Sequence, residues 1–164
     1  MNELNEYRKH HGYWEMYFSN GNLFFKGSYN NGFLDGYWEC YFSNGKPHSK
    51  GSYANGYKRG KWEKYWPNGN IRHINTYSDI IDRSRLEEYN ANVSGFYFEG
   101  TKNGFNESYH EDGTVNYKGH YINGKNHGFC ELYLKGGALI YKSICDNDRV
   151  LYYESKNKYE FHSI

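Results

Sequence analysis

Residues 12–35 read GYWEMYFSNGNLFFKGSYNNGFLD and residues 36–59 read GYWECYFSNGKPHSKGSYANGYKR, so one pattern returns after 24 residues. Self-similarity at a fixed period is the signature of a repeat protein. Further copies begin at Gly60, Gly104 and Gly128, and a degenerate copy precedes Gly104. We therefore expect a lead-in, six repeats within 12–151 and a C-terminal cap: 1–11, 12–35, 36–59, 60–83, 84–103, 104–127, 128–151 and 152–164.

Each repeat contains two short runs rich in aromatic residues and two turn signals. Asn-Gly is the preferred pair for a type I′ hairpin turn, because both central residues need a positive φ. The pattern therefore predicts a β-hairpin followed by a link to the next hairpin. The turn pairs are Asn20-Gly21, Asn31-Gly32, Asn44-Gly45, Asn55-Gly56, Asn68-Gly69, Asn103-Gly104, Asp112-Gly113, Asn123-Gly124 and Gly136-Gly137.

Two-residue turns also predict which residues face each other on neighbouring strands. The facing pairs predicted from the first two turns are Glu15–Lys26, Trp14–Gly27, Phe18–Leu23 and Phe25–Trp38. Because side chains alternate along a strand, this register gives the sheet one apolar and one amphipathic face. A tryptophan that faces a glycine can lay its ring over the bare backbone.

The apolar face carries one large position per repeat, opposite a glycine. The position holds Trp14, Trp38 and Trp62, then Leu86, Asn106 and Cys130, and the glycines include Gly27, Gly51 and Gly119. We expect these rings to pack on one another along a curled sheet, in preference to forming a ligand platform.

The amphipathic face carries two positions that never change. These are Glu15, Glu39, Glu63, Glu87, Glu107 and Glu131, and, two residues later, Tyr17, Tyr41, Tyr65, Tyr89, Tyr109 and Tyr133. A structural interpretation is a series of ion pairs within hairpins, each worth a few tenths to about 1 kcal/mol. The predicted pairs are Glu15–Lys26, Glu39–Lys50, Glu107–Lys118 and Glu131–Lys142. The alternative is a docking stripe for a basic partner, which we disfavour because residues present in every repeat usually support every repeat.

Composition agrees with an all-β chain. Aromatic residues make up 21% of the 164 residues, with 19 Gly and only 2 Pro, which favours strands over helices. The net charge of +1 gives no attraction for nucleic acid or an anionic membrane. Cys40, Cys130 and Cys145 show neither disulfide nor zinc spacing. With no transmembrane or signal segment visible, we expect a cytoplasmic protein.

The pattern G-x-W-E-x-Y-x-x-N-G-x-x-x-x-K-G-x-Y-x-N-G resembles the MORN repeat, and in particular its bacterial variant found in antitoxin-like proteins. The resemblance spans almost the whole chain and is weakest in 84–103, where Ser84 and Leu86 replace the expected Gly and Trp. It implies an elongated, curled single antiparallel sheet. It also implies a binding protein, for proteins and in some members phospholipids, without catalysis of its own.

We therefore expect a non-enzymatic module that needs no cofactor or metal and binds another protein, as a stoichiometric inhibitor by analogy with the antitoxin-like members. The alternatives are a phospholipid head-group binder and a scaffold that self-assembles through its sheet edges. No catalytic constellation is recognisable. Specificity in a repeat protein comes from positions that vary between repeats. The candidate partner-binding residues are Tyr57, Lys58, Arg59, Lys61, Lys64, Trp66, Arg72 and His73.

The degenerate repeat, 84–103, lacks four residues and cannot keep the register of its neighbours. We expect a bend or bulge there in place of a regular hairpin. The amides of 84–104 are then expected to exchange faster than those of 36–57.

Overall fold

The computed structural model describes residues 2–79 and 99–155. These residues form thirteen β-strands and no helix. The strands are β1 (Glu3–Leu4), β2 (His10–Tyr17), β3 (Leu23–Asn30), β4 (Phe33–Leu34), β5 (Gly36–Tyr41), β6 (Pro47–Ala54), β7 (Tyr57–Tyr65), β8 (Ile71–Tyr77), β9 (Gly104–Tyr109), β10 (Val115–Ile122), β11 (Lys125–Tyr133), β12 (Leu139–Asp146) and β13 (Arg149–Ser155).

All of these strands belong to one open antiparallel sheet. Neighbours in the sheet are neighbours in the chain from β1 to β13, except that the two-residue β4 pairs only with β3. Each of the five regular repeats contributes two long strands, as the alternation of runs and turns predicts. The all-β fold class and the tandem-hairpin architecture are confirmed.

The two turns of a repeat differ in conformation. The links at Asn31-Gly32, Asn55-Gly56 and Asn123-Gly124 are type I′ turns as predicted: Asn31 and Gly32 have φ of 50° and 89° and connect the facing residues Asn30 and Phe33. The predicted turn at Asn103-Gly104 is wrong, because Asn103 is not among the residues with positive φ and Gly104 begins β9. Within the hairpins the prediction is wrong. Gly21 has a φ of 84°, but Asn20 is not among the described residues with positive φ, and the Gly21 amide donates to the carbonyl of Phe18. This is a three-residue turn that ends in a left-handed glycine.

The longer inner turn shifts the register near each hairpin tip. Glu15 faces Lys26 and Trp14 faces Gly27 as predicted, but Tyr17, and not Phe18, faces Leu23. A second shift separates the β3–β4 pairs from the β3–β5 pairs, beside Gly36 with its φ of 86°. Phe25 consequently faces Cys40 on β5, which corrects the predicted pair Phe25–Trp38.

The core lies on one face, which we call the tryptophan face. Its buried cluster consists of Phe25, Tyr29, Leu34, Trp38, Tyr53, Trp62 and Tyr77, with Trp14 and Cys40 packed against it. The rings contact one another in series. Phe25 stacks on Trp38 at 4.5 Å between centroids, and Tyr53 meets Trp62 edge-on at 4.7 Å. Aromatic rings therefore supply most of this core in place of aliphatic side chains.

Each core tryptophan covers a glycine of the repeat before its own. A Cβ atom at Gly27 would overlap the ring of Trp38, and one at Gly51 would overlap Trp62. The expected cover of Gly27 by Trp14 is wrong, although their backbones face each other, because the Trp14 ring packs against His10 at 4.2 Å. Gly119 has no tryptophan, and the phenol of Tyr117 on its own strand takes that place.

The opposite face, which we call the ladder face, carries a row of facing acids and bases from β2 to β13. The row is Glu15, Lys26, Glu39, Lys50, Glu63, Ile74, Glu107, Lys118, Glu131, Lys142 and Glu154.

The ion pairs of this row mostly join consecutive repeats. Of the four predicted pairs, only Glu107–Lys118 forms, at 3.7 Å. The pairs Glu15–Lys26, Glu39–Lys50 and Glu131–Lys142 are wrong. The lysines contact the next acid along the row: Lys26–Glu39 at 2.7 Å, Lys50–Glu63 at 3.0 Å and Lys142–Glu154 at 3.0 Å. The Tyr41 hydroxyl donates to the same Glu39 carboxylate at 2.7 Å, so Lys26 and Tyr41 share one acceptor.

The third and fifth repeats are neighbours in the sheet. Ile74 of β8 faces Glu107 of β9, so no described strand lies between these repeats. The hairpin tips are joined as in regular repeats: Asn70 Nδ2 donates to the Glu111 carbonyl at 2.9 Å, as Asn22 Nδ2 donates to the Ser43 carbonyl at 2.8 Å. The predicted irregularity within 84–103 falls mainly on 80–98, outside the described residues.

Candidate functional site

A group of basic and aromatic side chains lies where β7 and β8 meet at a hairpin tip. We call Lys64, Trp66, Arg72 and His73 the basic patch. Lys64 and His73 face each other on neighbouring strands and are half-buried. The Arg72 guanidinium lies 4.3 Å from the centre of the Trp66 ring, within the range of a cation–π contact. Four of the eight predicted partner-binding residues are thus brought together.

The charge of the patch is positive and is not neutralised by a contacting carboxylate among the described residues, since neither Lys64 nor Arg72 forms an ion pair there. Burial first, and then the positive charges of Arg72, Lys64 and Lys102, lower the pKa of His73 to about 4. His73 is therefore a neutral imidazole at pH 7, and the cations around it keep it so.

Trp66 has a structural contact of its own. Its indole Nε1 donates a hydrogen bond to the carbonyl of Tyr109 at 3.2 Å, which joins the third repeat to the fifth. In the fifth repeat His110 occupies the same position, and its ring contacts the carbonyl of Tyr133 at 3.1 Å. The ring of Trp66 is therefore held in place before any partner arrives, with Arg72 stacked on it.

Lys58 departs from its predicted role, because its side chain is only 4% exposed. The ammonium lies 4.9 Å from the centre of the Trp62 ring and 5.7 Å from that of Tyr77, and it forms an ion pair with Glu99. The Tyr77 hydroxyl donates to the same carboxylate at 2.8 Å. Burial lowers the pKa of Lys58, and the charge of Glu99 opposes that shift. Lys58 belongs to the core and offers no charge to a partner.

The other three candidates, Tyr57, Arg59 and Lys61, lie on the ladder side of β7. Arg59 faces Ser52 and approaches Asp79 at 4.0 Å, and Lys61 pairs with Glu63 at 2.8 Å. The eight predicted residues therefore do not form one surface. The structure divides them into the basic patch, the core residue Lys58 and a ladder-face group.

Sequence reasoning missed two residues near the patch, Glu99 and Lys102. Lys102 precedes Gly104 by two residues, just as Lys58 precedes Gly60, so repeat alignment alone could have found it. Its ammonium lies 5.1 Å from the centre of the Tyr121 ring, which is the equivalent of the contact between Lys58 and Tyr77. Glu99 gave no signal, because it lies in the repeat whose pattern is degenerate.

The glutamates and tyrosines that recur in the described repeats on the ladder face are hydrogen-bonded to each other. In each described repeat the tyrosine hydroxyl donates to the glutamate two residues earlier. These bonds are Tyr17–Glu15 at 2.6 Å, Tyr41–Glu39 at 2.7 Å, Tyr65–Glu63 at 2.5 Å, Tyr109–Glu107 at 2.7 Å and Tyr133–Glu131 at 2.7 Å. Hydrogen bonds to the charged form of a carboxylate favour that form. The pKa of Glu63 is accordingly lowered to about 2, first by a bond from Lys61 and then by Tyr65.

Within 2–79 and 99–155 no group of three or more His, Cys, Asp or Glu side chains is placed to hold a metal ion. Cys40, Cys130 and Cys145 are free thiols. Among the same residues there is no helix of a length and apolarity that would cross a bilayer.

Comparison with protein families agrees with this architecture. The profile of the MORN repeat variant matches residues 11–31, 34–55, 58–79 and 103–123, which together make up more than half of the chain. The matched segments follow the hairpins of the first three repeats and the fifth. No curated protein matches the chain. On the strength of the four matches and the tandem hairpins, the chain belongs to the MORN repeat variant family.

Proposed function

We propose that the chain is a protein-binding module whose partner contacts the basic patch with an acidic surface. The observation that carries this proposal is the gathering of Lys64 and Arg72 around Trp66 and His73 without a contacting carboxylate among the described residues. Uncompensated charge of one sign favours a partner of the opposite sign and speeds its association.

The composition of the patch supports a protein partner. Trp and Arg are the residues in which interface binding energy is most often concentrated. The hydrogen bond from Trp66 to Tyr109 and the stacking of Arg72 hold both side chains in place beforehand. A side chain that is already ordered loses less conformational entropy on binding, which increases the affinity. Lys64 and Arg72 then act as charged anchors and Trp66 as the apolar one.

An inhibitory role, in which occupation of the partner blocks its activity as in antitoxin-like proteins, is a finer proposal that rests on family resemblance alone. It predicts a complex of fixed stoichiometry that lowers the partner's activity in proportion to occupancy. A lipid surface with anionic head groups is the second candidate for the same cations, since each basic residue near such a surface contributes about 1 kcal/mol.

The test compares two charge-reversal variants in affinity capture from native cells, with quantitative mass spectrometry. One is Lys64→Glu with Arg72→Glu. The control is Lys125→Glu with Arg149→Glu, which makes the same change of charge at exposed positions on β11 and β13. A partner of the patch is expected to fall about tenfold or more in the first variant and to persist in the control.

Folding of both variants is checked by circular dichroism. Equal recovery of every protein by both variants would remove the patch from the interface. Vesicles with an anionic lipid provide the second arm. A different pair of results is that the parent floats with these vesicles while the patch variant does not, and that both capture the same proteins. That pair of results would show that the patch binds a membrane surface and not a protein.

A further inference from the structure

A row of exposed aromatic side chains runs across the ladder face, on the side of the sheet opposite the tryptophan core. It occupies the second position of the regular repeats. Tyr13 is 42% exposed, Tyr37 55%, Phe105 50% and Phe129 69%, while Lys61 takes the third place. Large aromatic side chains that are exposed in a regular row are typical of a surface to which another molecule binds.

The row has a fixed pitch set by the sheet. Its residues lie on β2, β5, β7, β9 and β11, and each successive pair is separated by one intervening strand. Two strand spacings of about 4.8 Å place the positions about 9.6 Å apart. The Tyr13 hydroxyl bonds to Glu15 on its own strand at 2.9 Å. This ring therefore lies along the strand and leaves a face open to solvent.

Of the regular backbone conformations, polyproline II matches this pitch best. It rises about 3.1 Å per residue with three residues per turn, or about 9.3 Å per turn. Two turns of α-helix rise about 10.8 Å, and two residues of a strand about 6.8 Å. Only in polyproline II do the residues on one side of the ligand recur at a spacing close to that of the rings, so that successive turns contact successive rings. Aromatic rings are also the surfaces on which proline-rich segments dock in known recognition domains.

The charge at the N-terminal end of the row specifies the ligand further. Glu15 accepts hydrogen bonds from Tyr13 and Tyr17, but Lys26, the base that faces it, pairs with Glu39 instead. In the part of the chain that the structure describes, Glu15 thus has no cation in contact. A carboxylate flanked by two aromatic rings suits an arginine or lysine, which gains both an ion pair and a cation–π contact.

We propose that the ladder face binds a basic, proline-rich segment of another protein in the polyproline II conformation, with prolines on Tyr13 and Tyr37 and a basic residue on Glu15. The segment lies across the strands. This surface is distinct from the basic patch, which lies on the opposite side of the sheet and attracts an acidic partner. A chain that uses both surfaces joins two proteins of opposite charge.

The experiment measures binding of two synthetic peptides by titration calorimetry. Each has about twelve residues, roughly four turns of polyproline II. The first has an arginine followed by prolines at every third position. The second has the same composition, with the prolines moved so that the three-residue spacing is lost. The proposal predicts that the first peptide binds at least about tenfold more tightly. Equal binding of both peptides, or binding of neither, would overturn it.

Variants locate the site on the ladder face. Tyr37→Ala is expected to weaken the first peptide about tenfold, and Tyr37→Phe to retain binding, because the ring and not the hydroxyl makes the contact. Glu15→Gln is expected to weaken binding and to reduce its dependence on salt. Tyr7→Ala removes a ring that is 74% exposed outside the row and serves as the control.

Two outcomes count against the site. If Tyr7→Ala weakens the peptide as much as Tyr37→Ala, the contact is unspecific and the proposal fails. If Lys64→Glu with Arg72→Glu abolishes binding while Tyr37→Ala does not, the peptide sits on the tryptophan face, and the ladder face is not its site. If the two surfaces are independent, Lys64→Glu with Arg72→Glu leaves the affinity for the peptide unchanged. This result does not depend on whether the basic patch binds an acidic partner.

Discussion

The ammonium of Lys26 lies 2.7 Å from the carboxylate of Glu39, in the next repeat, although its backbone faces Glu15 in its own hairpin. The same direction holds on the other face, where Trp38 covers Gly27 of the repeat before it. Side chains of both faces therefore join consecutive repeats. In a repeat protein, stability is the sum of the repeats and of such interfaces between neighbours. A hairpin alone would lose both contacts.

Trp38→Ala is expected to lower the free energy of unfolding by about 3–5 kcal/mol, as for other large buried aromatic side chains. Trp38 is 7% exposed, stacks on Phe25 and covers a glycine. Trp14→Ala is the matched control and is expected to cost clearly less, because Trp14 lies at the margin of the core. Urea unfolding measures both. Equal losses in the two variants would mean that Trp14 belongs to the core as fully as Trp38 does.

Glu99→Gln is expected to destabilise the protein by about 1–3 kcal/mol, since it leaves the buried ammonium of Lys58 without a counter-charge. The loss is smaller than for a fully buried pair, because the Glu99 side chain is 56% exposed. The double variant Glu99→Gln with Lys58→Met is expected to recover most of that loss, because it also removes the uncompensated charge. Chemical denaturation of the parent, the single variant and the double variant forms the measurement. A double variant no more stable than Glu99→Gln alone would contradict a buried charge as the cause.

Glu63 is expected to make part of the stability dependent on acid pH. Its pKa is about 2 in the folded protein and 4.5 without its partners, so folding favours the charged form. The stabilisation, about 3 kcal/mol, is complete above pH 4.5 and is lost as the pH falls towards 2. Glu63→Gln should flatten the curve of unfolding free energy against pH in that window. A slope equal to that of the parent would show that Glu63 is not the group responsible.

His73 is expected to titrate near pH 4 and to remain neutral at pH 6 in NMR spectra of its imidazole nitrogens. Lys64→Met removes one of the charges that lower this pKa, so it should raise the midpoint towards the ordinary value of 6.5. Lys125→Met, at an exposed position on β11, is the control and should not move it. An unchanged midpoint in Lys64→Met would place Lys64 too far away to act on His73.

Much of the fold could be predicted because the period and the turn residues are local signals. The Asn31-Gly32 pair needs only its own φ angles to form a type I′ turn, and the facing of Glu15 and Lys26 follows from nearby turns. The prediction for the turns within the hairpins was wrong, because Asn-Gly also suits a three-residue loop in which only the glycine is left-handed. Sequence alone does not separate these two turns, and the extra residue changes the register only near the tip.

The contacts of the side chains could not be predicted, because the second strand of each hairpin pairs with its own repeat on one side and with the next repeat on the other. Lys26 lies between Glu15 and Glu39 in one row, and the sequence pattern does not decide which of the two carboxylates it contacts. Similarly, Lys58 read as a variable surface residue, because its burial depends on Glu99, 41 positions away. Contacts of this range depend on how the repeats stack.

The coupling between repeats is tested most directly by asking which tryptophan must be removed for an alanine at position 27 to lose its cost in stability. Gly27→Ala is expected to cost about 1–3 kcal/mol through overlap of its Cβ with Trp38. In a Trp38→Ala background, measured by urea unfolding, the same change should cost almost nothing, and in a Trp14→Ala background it should keep its full cost. Rescue by Trp14→Ala and none by Trp38→Ala would contradict the account, since the cover would then lie within one hairpin and not between repeats.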